Sequence, residues 1–500
     1  MRLVRMCALL FCLTLAAAAH AQAPGEQAYT DIPEFPTGLE GARMQMLFDA
    51  ANEGDVETVE RFYETSLNDQ FKSEFPKEAF VEFFRGFAEG AGGIGFHSVR
   101  VYDPPREDQT VVVFRDENYG AWKAFVFYYG EGGKPDGRLR GFTISPARVP
   151  SDVEAPGPLT EAEAVEEIRA FVGQLCERDL FSGTVLLAKG DDVLLELYCG
   201  EAEKRFHAPV RADTRFNLGS MNKMFTSVAV MRLVEEGVVS LDDPISEYVD
   251  ESWLPREITD RVRIEHLLSH TSGLGSYFNE TFMEGSRLRW RQVDDYRELV
   301  RGDTLAFEPG TDWMYSNTGM LLLGVVIESA TGEDYFDHIR ENVYAPAGMD
   351  DTDCYDMDCA VENLAIGYWR ADDCATGWKN NYFEHTIRGG PAGGGFSTVR
   401  DLHRFARALQ SGKLVSPQTL EAMWTDHFDP ERQFGYGYGF GVKRLAAGKV
   451  VGHGGGFTGI SANLDIFVDS GYIAAVMTNY DMAGEPVYRK IQELIARLEE

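Results

Sequence analysis

The chain has 500 residues, 44% hydrophobic and 12% aromatic, an ordinary globular composition with room for two or three domains. Its 80 acidic residues outnumber 47 basic ones, giving a formal charge of −33, and such a surface repels nucleic acid and anionic membranes. Beyond the first residues no stretch is long and apolar enough to span a membrane.

Residues 1–21 differ in kind from the rest. Arg2 and Arg5 precede an apolar run from Met6 to Leu15, and Ala19-His20-Ala21 follows. This pattern predicts a secretory signal peptide cut after Ala21, because cutting after Ala23 would leave Pro24 first. A periplasmic or secreted protein is therefore expected, more acidic still once Arg2 and Arg5 are gone. Cys7 and Cys12 leave with the signal. Cys176, Cys199, Cys354, Cys359 and Cys374 remain in a compartment that permits disulfides. The last three lie close together, so one bridge among them is expected, and an odd total leaves at least one thiol free.

Residues 22–38 read as a tether. Amphipathic helices are predicted over Leu39 to Asn52 and Asp55 to Leu67, and a phenylalanine-rich helix over Lys77 to Glu89. The period then changes, and Phe96 to Tyr102, Thr110 to Arg115, Ala121 to Tyr129 and Arg138 to Ser145 read as strands. Helices followed by an antiparallel meander make residues 39–149 a small α+β domain. The element order resembles the ketosteroid-isomerase-like cone. No acid–base pair stands out in it, so a structural or dimerising role is expected.

Residues 150–158, with Pro150, Pro156 and Pro158, form a stiff polar linker. In 159–500 a helix is predicted over Glu161 to Glu177, then strands Ser182 to Lys189 and Val193 to Cys199. Helices and loops fill the middle. Strands return at Phe440 to Arg444, Val450 to Gly452, Ile460 to Val468 and Tyr472 to Thr478, and a helix from Pro486 to Leu498 closes the chain. Both ends thus supply one antiparallel sheet flanked by helices, with a helical lobe inserted. That is a two-lobed α/β (α+β) domain, and a site belongs where the halves meet.

Ser220-Met221-Asn222-Lys223 carries the chemistry. Apolar residues recur at helical spacing through Val228, Val230, Met231 and Leu233, with Gly237 as a stop. A serine in the first turn of that helix has Lys223 on its own face one turn on, and its amide is free to face an anion. The alternative is a polar helix start without chemistry. Partners appear downstream. Phe307-Glu308-Pro309-Gly310 leads to Tyr315-Ser316-Asn317, and Gly452-His453-Gly454-Gly455-Gly456-Phe457 lies near the C-terminus.

The order of these motifs resembles the serine β-lactamase and penicillin-binding-protein superfamily, in which S-x-x-K is a catalytic motif. Leu267-Leu268-Ser269-His270-Thr271-Ser272-Gly273-Leu274 and Gly393-Gly394-Gly395-Phe396-Ser397-Thr398 share the likeness, which spans about residues 160–500. The resemblance implies that Ser220 becomes an acyl-enzyme, with Lys223 and Tyr315 as candidate bases; which of the two takes the proton stays open. It assigns the oxyanion donors to the amides of Ser220 and Gly456, has Asn317 orient the lysine or a substrate amide, and puts His453 and Gly455 on the substrate strand. Where β-lactamases of this type carry a lysine, this chain has His453, a residue largely neutral above its reference pKa of about 6.5. That weakens attraction for a substrate carboxylate. Arg388 is a candidate replacement cation, with a solvated loop arginine as the alternative.

His266 and His270, four residues apart, have the spacing of zinc ligands but no third ligand nearby, and are read as structural. Tyr277-Phe278-Asn279 copies the letters of the Tyr315 triplet without its Pro-Gly turn. No G-x-S-x-G elbow is present, and the glycine-rich Gly435 to Phe440 run lacks the helix of a phosphate loop. The expectation is an exported serine hydrolase without metal or organic cofactor, an esterase or a D-amino-acid-directed peptidase. Its partner is a small ester, amide or D-amino-acid peptide. The alternatives are a β-lactamase and a non-catalytic sensor or cell-wall ligand-binding protein of the same fold.

Overall fold

In a computed structural model of the protein, residues 27–499 are described, apart from 54, 130–137, 155 and 372. The expected signal peptide, with Cys7 and Cys12, lies outside the described residues. The chain divides into two compact units, one ending at Gly157 and the other starting at Pro158. Among the described residues no helix is long and apolar enough to cross a membrane.

The first unit is an antiparallel sheet in the order β1 (Ala28–Ile32), β2 (Ile94–Asp103), β3 (Gln109–Asp116), β4 (Trp122–Tyr129) and β5 (Leu139–Pro146). Its helices are α1 (Leu39–Glu53), α2 (Val56–Ser66), α3 (Asp69–Glu74) and α4 (Lys77–Ala91). Asp55 starts α2 by accepting the amides of Glu57 and Thr58. Asn68 does the same for Phe71 at the head of α3, a short helix with too little period to be read from sequence. Phe48, Phe62, Phe80, Phe84, Phe114 and Phe125 are buried between helices and sheet. Their edge-to-face and tilted contacts, such as Phe114 to Phe125 at 4.6 Å, fill the interior, and each buried ring contributes about 1.5–3 kcal/mol.

The tether expected over 22–38 needs correction. Ala28–Ile32 pairs with β2, with Ala28 opposite Asp103 and Ile32 opposite Val99. Its polar, half-exposed residues hide an edge strand. A buried ion pair holds it, Arg100 Nε lying 2.9 Å from Asp31 Oδ1.

The second unit has the α/β two-lobed architecture. It opens with α5 (Glu161–Glu177), β6 (Gly183–Lys189) and β7 (Asp192–Cys199), followed by α6 (Asn222–Glu235), α7 (Asn317–Thr331) and α8 (Val399–Gln410). Then come β8 (Phe434–Tyr436), β9 (Gly441–Leu445), β10 (Gly448–Phe457), β11 (Ile460–Phe467), β12 (Tyr472–Thr478) and α9 (Gly484–Ile495). The strands form one antiparallel sheet in the order β8-β9-β10-β11-β12-β6-β7. The two ends of the unit are joined where β12 pairs with β6, Tyr472 opposite Lys189 and Thr478 opposite Gly183. β11 and β12 are buried along their whole lengths, as strands covered on both faces must be. The Thr160–Glu163 capping box fixes the start of α5.

The cysteine expectation is overturned. Cys176 of α5 bonds Cys199 at the end of β7, with Cα atoms 6.1 Å apart, while Cys354, Cys359 and Cys374 are free. The packing of α5 on β7 makes this pair adjacent, and sequence spacing carries no trace of it. Cys354 is buried, its sulfur accepting from Asn222 Nδ2 at 3.2 Å. β10 also runs well past Gly452. Its glycines have low strand propensity, but pairing with β11 carries them, His453 opposite Leu464 and Gly456 opposite Ser461.

Candidate active site

The serine sits on a 3₁₀ turn, Gly219–Met221, that feeds directly into α6. Gly219 has φ +50°, and a Cβ there would lie 2.9 Å from the amide nitrogen of Gly456. Only glycine brings the turn this close to β10. Every α6 residue from Asn222 to Met231 is buried, so Lys223 points into the interior, fully enclosed.

Lys223 Nζ lies 3.0 Å from Ser220 Oγ and 2.5 Å from the carbonyl oxygen of Ala392. Burial pushes its pKa well below the ordinary lysine value, since an ammonium loses its hydration here without gaining a carboxylate. Nζ donates to both Ser220 Oγ and Ala392 O, and as a neutral amine it also has a lone pair with which to take the serine proton. Asn222 fixes the loop that carries Ala392, its Nδ2 donating to Gly390 O and its Oδ1 accepting from Gly395 N, each at 3.2 Å. Sequence reading missed Asn222 and Ala392. Only the match of an asparagine to both ends of a glycine-rich loop could have hinted at them.

Tyr315 reaches the same serine and hydrogen-bonds it, and Lys223 Nζ lies 4.8 Å from the centre of its ring. Burial raises the phenol above its ordinary value, and the bond to Ser220 only partly offsets this. The tyrosine is held from both sides by His270. Met314 N–H donates to His270 O at 3.0 Å, Ser316 N–H donates to His270 Nδ1 at 3.2 Å, and the His270 and Tyr315 rings are 4.4 Å apart. His270 is fully buried at φ +63°. Because Nδ1 accepts, the neutral ring carries its proton on Nε2. Burial, the largest cause, lowers its pKa well below the ordinary histidine value. His266 plays a separate role, its Nδ1 accepting the Arg263 amide at 3.1 Å. Among the described residues no three His, Cys, Asp or Glu side chains are grouped to hold a metal.

β10 closes the site. Its pairing with β9 ends at Gly452 while its pairing with β11 continues to Phe457, so residues 453–457 have no strand partner on the β9 side among the described residues. Gly455 faces the serine turn: a Cβ there would lie 1.8 Å from Leu218 O and 3.0 Å from Ser220 N. Gly456 is exposed. His453 is buried, with Nδ1 against Gly454 O and Nε2 3.0 Å from the Tyr436 hydroxyl. The proton on Nδ1 leaves Nε2 to accept from Tyr436. Burial, the largest cause, lowers the His453 pKa to about 3, so the ring is neutral at working pH. Tyr436 lay unread in a glycine-rich run.

Asn317 does not take the lysine-orienting role, and Arg388 does not take the cation role, weighed for them. Asn317 does not meet Lys223 through any described hydrogen bond; its Nδ2 donates to Ser276 Oγ at 3.1 Å, and the lysine is oriented by Ala392 instead. Arg388 is neither solvated nor a substrate cation. It is buried, donating to Cys354 O at 3.0 Å and stacking 3.4 Å over Phe336, with Asp356 at 3.9 Å. The site's neutral histidine is thus not compensated by this arginine.

The Beta-lactamase family model matches residues 163–496. Penicillin-binding protein 4* of Bacillus subtilis (strain 168) is 32% identical over 317 residues, covering 61% of this chain and 69% of that protein. Esterase EstB of Burkholderia gladioli is 32% identical over 210 residues, 40% of this chain and 53% of its own length. A penicillin-binding protein from Bacillus halodurans superposes with a TM-score of 0.60 at 28% identity, covering 67% of this chain and 99% of that one. A D-stereospecific amidohydrolase from Streptomyces sp. does so at 0.55 and 28%, covering 66% and 96%.

Proposed function

Because the chain belongs to the Beta-lactamase family and is a serine hydrolase, we propose that it is exported and cleaves esters or D-amino-acid amides and peptides through an acyl-enzyme on Ser220. The observation that carries this reading is the 3.0 Å contact between Ser220 Oγ and an amine that burial keeps neutral. Lys223, rather than Tyr315, is the base: burial favours the uncharged form of both groups, and an uncharged amine accepts a proton whereas an uncharged phenol does not. The serine proton passes to Nζ as Oγ bonds the substrate carbonyl carbon. The amides of Ser220 and Gly456 take the oxyanion. As the bond to the leaving group breaks, Tyr315 gives that group its proton and is re-protonated by Lys223. Water then attacks the acyl-enzyme by the reverse relay, releasing the acid and free Ser220.

The substrate class follows from His453. A neutral ring bonded to Tyr436 offers no fixed charge to a substrate carboxylate, which favours esters and D-amino-acid derivatives over β-lactams. The esterase and the D-stereospecific amidohydrolase among the relatives point the same way. Export is supported by the Arg2-to-Ala21 pattern and by the Cys176–Cys199 disulfide, which suits an oxidising compartment.

The test is covalent. A fluorophosphonate probe should label the Ser220 peptide, located by mass spectrometry after digestion, and Ser220→Ala should abolish turnover of p-nitrophenyl esters. Equal turnover by that variant, or no label on that peptide, overturns the reading.

A further inference from the structure

The Tyr277-Phe278-Asn279 triplet, which copies the Tyr315 motif without its chemistry, places a ring against Phe457 of β10. Phe278 stacks on Phe457, with ring centres 5.9 Å apart and planes 24° apart, and it stays 38% exposed. Phe457 is half-buried and directly follows Gly456.

Strand geometry locates this pair against the serine. Side chains alternate along β10, so His453, Gly455 and Phe457 share one face. On that face His453 meets Tyr436 and lies 6.3 Å, ring to ring, from Tyr315. Gly455 abuts the Ser220 amide. Phe457 lies two residues further on, about 7 Å along the strand from Gly455. Ser220 therefore sits between a Tyr315–His453–Tyr436 cluster at one end and the Phe278–Phe457 pair at the other.

The proton for the leaving group comes from Tyr315, so the leaving group departs toward the His453 end. The acyl substituent points the other way, to the two phenylalanines. Their position is fixed. Tyr277 and Phe282 support Phe278 at 4.7 and 4.8 Å. The loop is tied to the segment bearing Tyr315 by Ser316 Oγ on Gly275 O at 2.9 Å and by Asn317 Nδ2 on Ser276 Oγ at 3.1 Å. This bond of Asn317 also helps to hold the loop that carries the ring.

We propose that Phe278 and Phe457 form the acyl-side subsite and select substrates whose acyl group carries an aromatic ring. This rests on the acyl-enzyme reading above. Two esters with the same leaving group isolate the acyl side: p-nitrophenyl acetate and p-nitrophenyl phenylacetate. The wild-type protein should prefer the phenylacetate in kcat/KM. Phe278→Ala and Phe457→Ala should each cut that preference about three- to tenfold, the range aromatic contacts contribute. The readout is the phenylacetate-to-acetate ratio of kcat/KM, in which any change common to both esters cancels. Phe278→Leu and Phe457→Leu, which keep apolar volume, should fall in between and serve where an alanine variant does not fold. An unchanged preference in these variants, or equal losses on both esters, overturns the subsite while leaving the acyl-enzyme reading intact. A wild-type protein that neither turns over the esters nor labels at Ser220 overturns both.

Discussion

In the first unit Arg100 is a buried cation whose guanidinium meets Asp31 at 2.9 and 3.1 Å and the carbonyl of Arg148 at 3.0 Å. In the second, Lys223 is fully buried and meets a hydroxyl and a carbonyl but no carboxylate among the described residues. Burial raises the Asp31 pKa, but the bonds from Arg100 and Ser151 outweigh it and leave the carboxyl below its ordinary value. The pair therefore stays charged. Lys223 has no such partner among the described residues, and desolvation alone lowers its pKa well below the ordinary lysine value. One arrangement spends its polar groups on holding an edge strand. The other leaves a lone pair facing a serine, which is a reactive state rather than a stable one.

Restoring a permanent charge at the second site should break the contrast most severely. Lys223→Arg places a guanidinium, which cannot be deprotonated at working pH, where a neutral amine is needed. Loss of the general base should cost about 10²–10⁴ in kcat/KM, read with p-nitrophenyl acetate. The pH–rate profile gives the sign independently. A lysine with a depressed pKa becomes a base at lower pH, so the acid limb of kcat/KM should lie well below 10.5 and the rate should rise as pH climbs through it. An acid limb near the ordinary lysine value would assign the proton transfer to another group.

Removing the partner at the first site should act on stability alone. Asp31→Ala leaves Arg100 buried without its counter-charge, at a cost of about 3 kcal/mol to the first unit. Hydrogen exchange read by mass spectrometry should show the loss in β1 and β2, with ester turnover per folded molecule unchanged. Intact protection there would mean that Arg100 is already served by the Arg148 carbonyl.

What could be read in advance follows the same line. Local signals wrote themselves into the sequence: the Thr160–Glu163 box and the Asp55 cap started helices where expected, and the apolar period after Ser220 placed Lys223 one turn on. The features that were missed depend on distant partners. Ala392 acts through a backbone carbonyl, which any residue type carries. Tyr436 is identified only by its bond to His453. β10 runs through glycines of low propensity because β11 pairs with it. Cys176 and Cys199 meet only once α5 lies on β7, and the edge strand at Ala28 exists only because β2 offers it a ladder. Asn317 had the right letter at the right spacing, yet its amide turns to Ser276.

A smaller effect separates positioning from chemistry at His270. The ring sits in the left-handed region and accepts the Ser316 amide. Asparagine tolerates that backbone conformation and offers an oxygen acceptor in place of Nδ1. Leucine does neither. His270→Leu should lower kcat about ten- to hundredfold as Tyr315 loses its alignment, and His270→Asn should recover most of it. The acid limb set by Lys223 should stay in place in the asparagine variant. Equal losses in both variants would make the imidazole itself, not its acceptor, the essential feature.

The gentlest probe is acid. His453 titrates at about 3 when folded, against an unfolded reference of about 6.5. A depressed folded pKa means that its contribution is fully present above about pH 6.5 and is lost as pH falls toward 3, because the unfolded chain binds the extra proton first. Asp31 is also depressed, but from 3.8, so the first unit loses its ion-pair contribution only in stronger acid. Between about pH 6 and 4, therefore, the His453 contribution should fade while the Asp31–Arg100 pair holds. His453→Asn removes one titrating ring, and its stability should fall less steeply across that window, by up to about 1.4 kcal/mol per pH unit. His270, buried and neutral, keeps titrating in that variant, so the slope should shrink rather than vanish. Denaturant unfolding at several pH values, resolved by unit through hydrogen exchange, reads both slopes. Parallel slopes in wild-type and variant would show that the ring accepts its proton before the second unit opens, and the neutral His453 on which the substrate preference rests would then be lost.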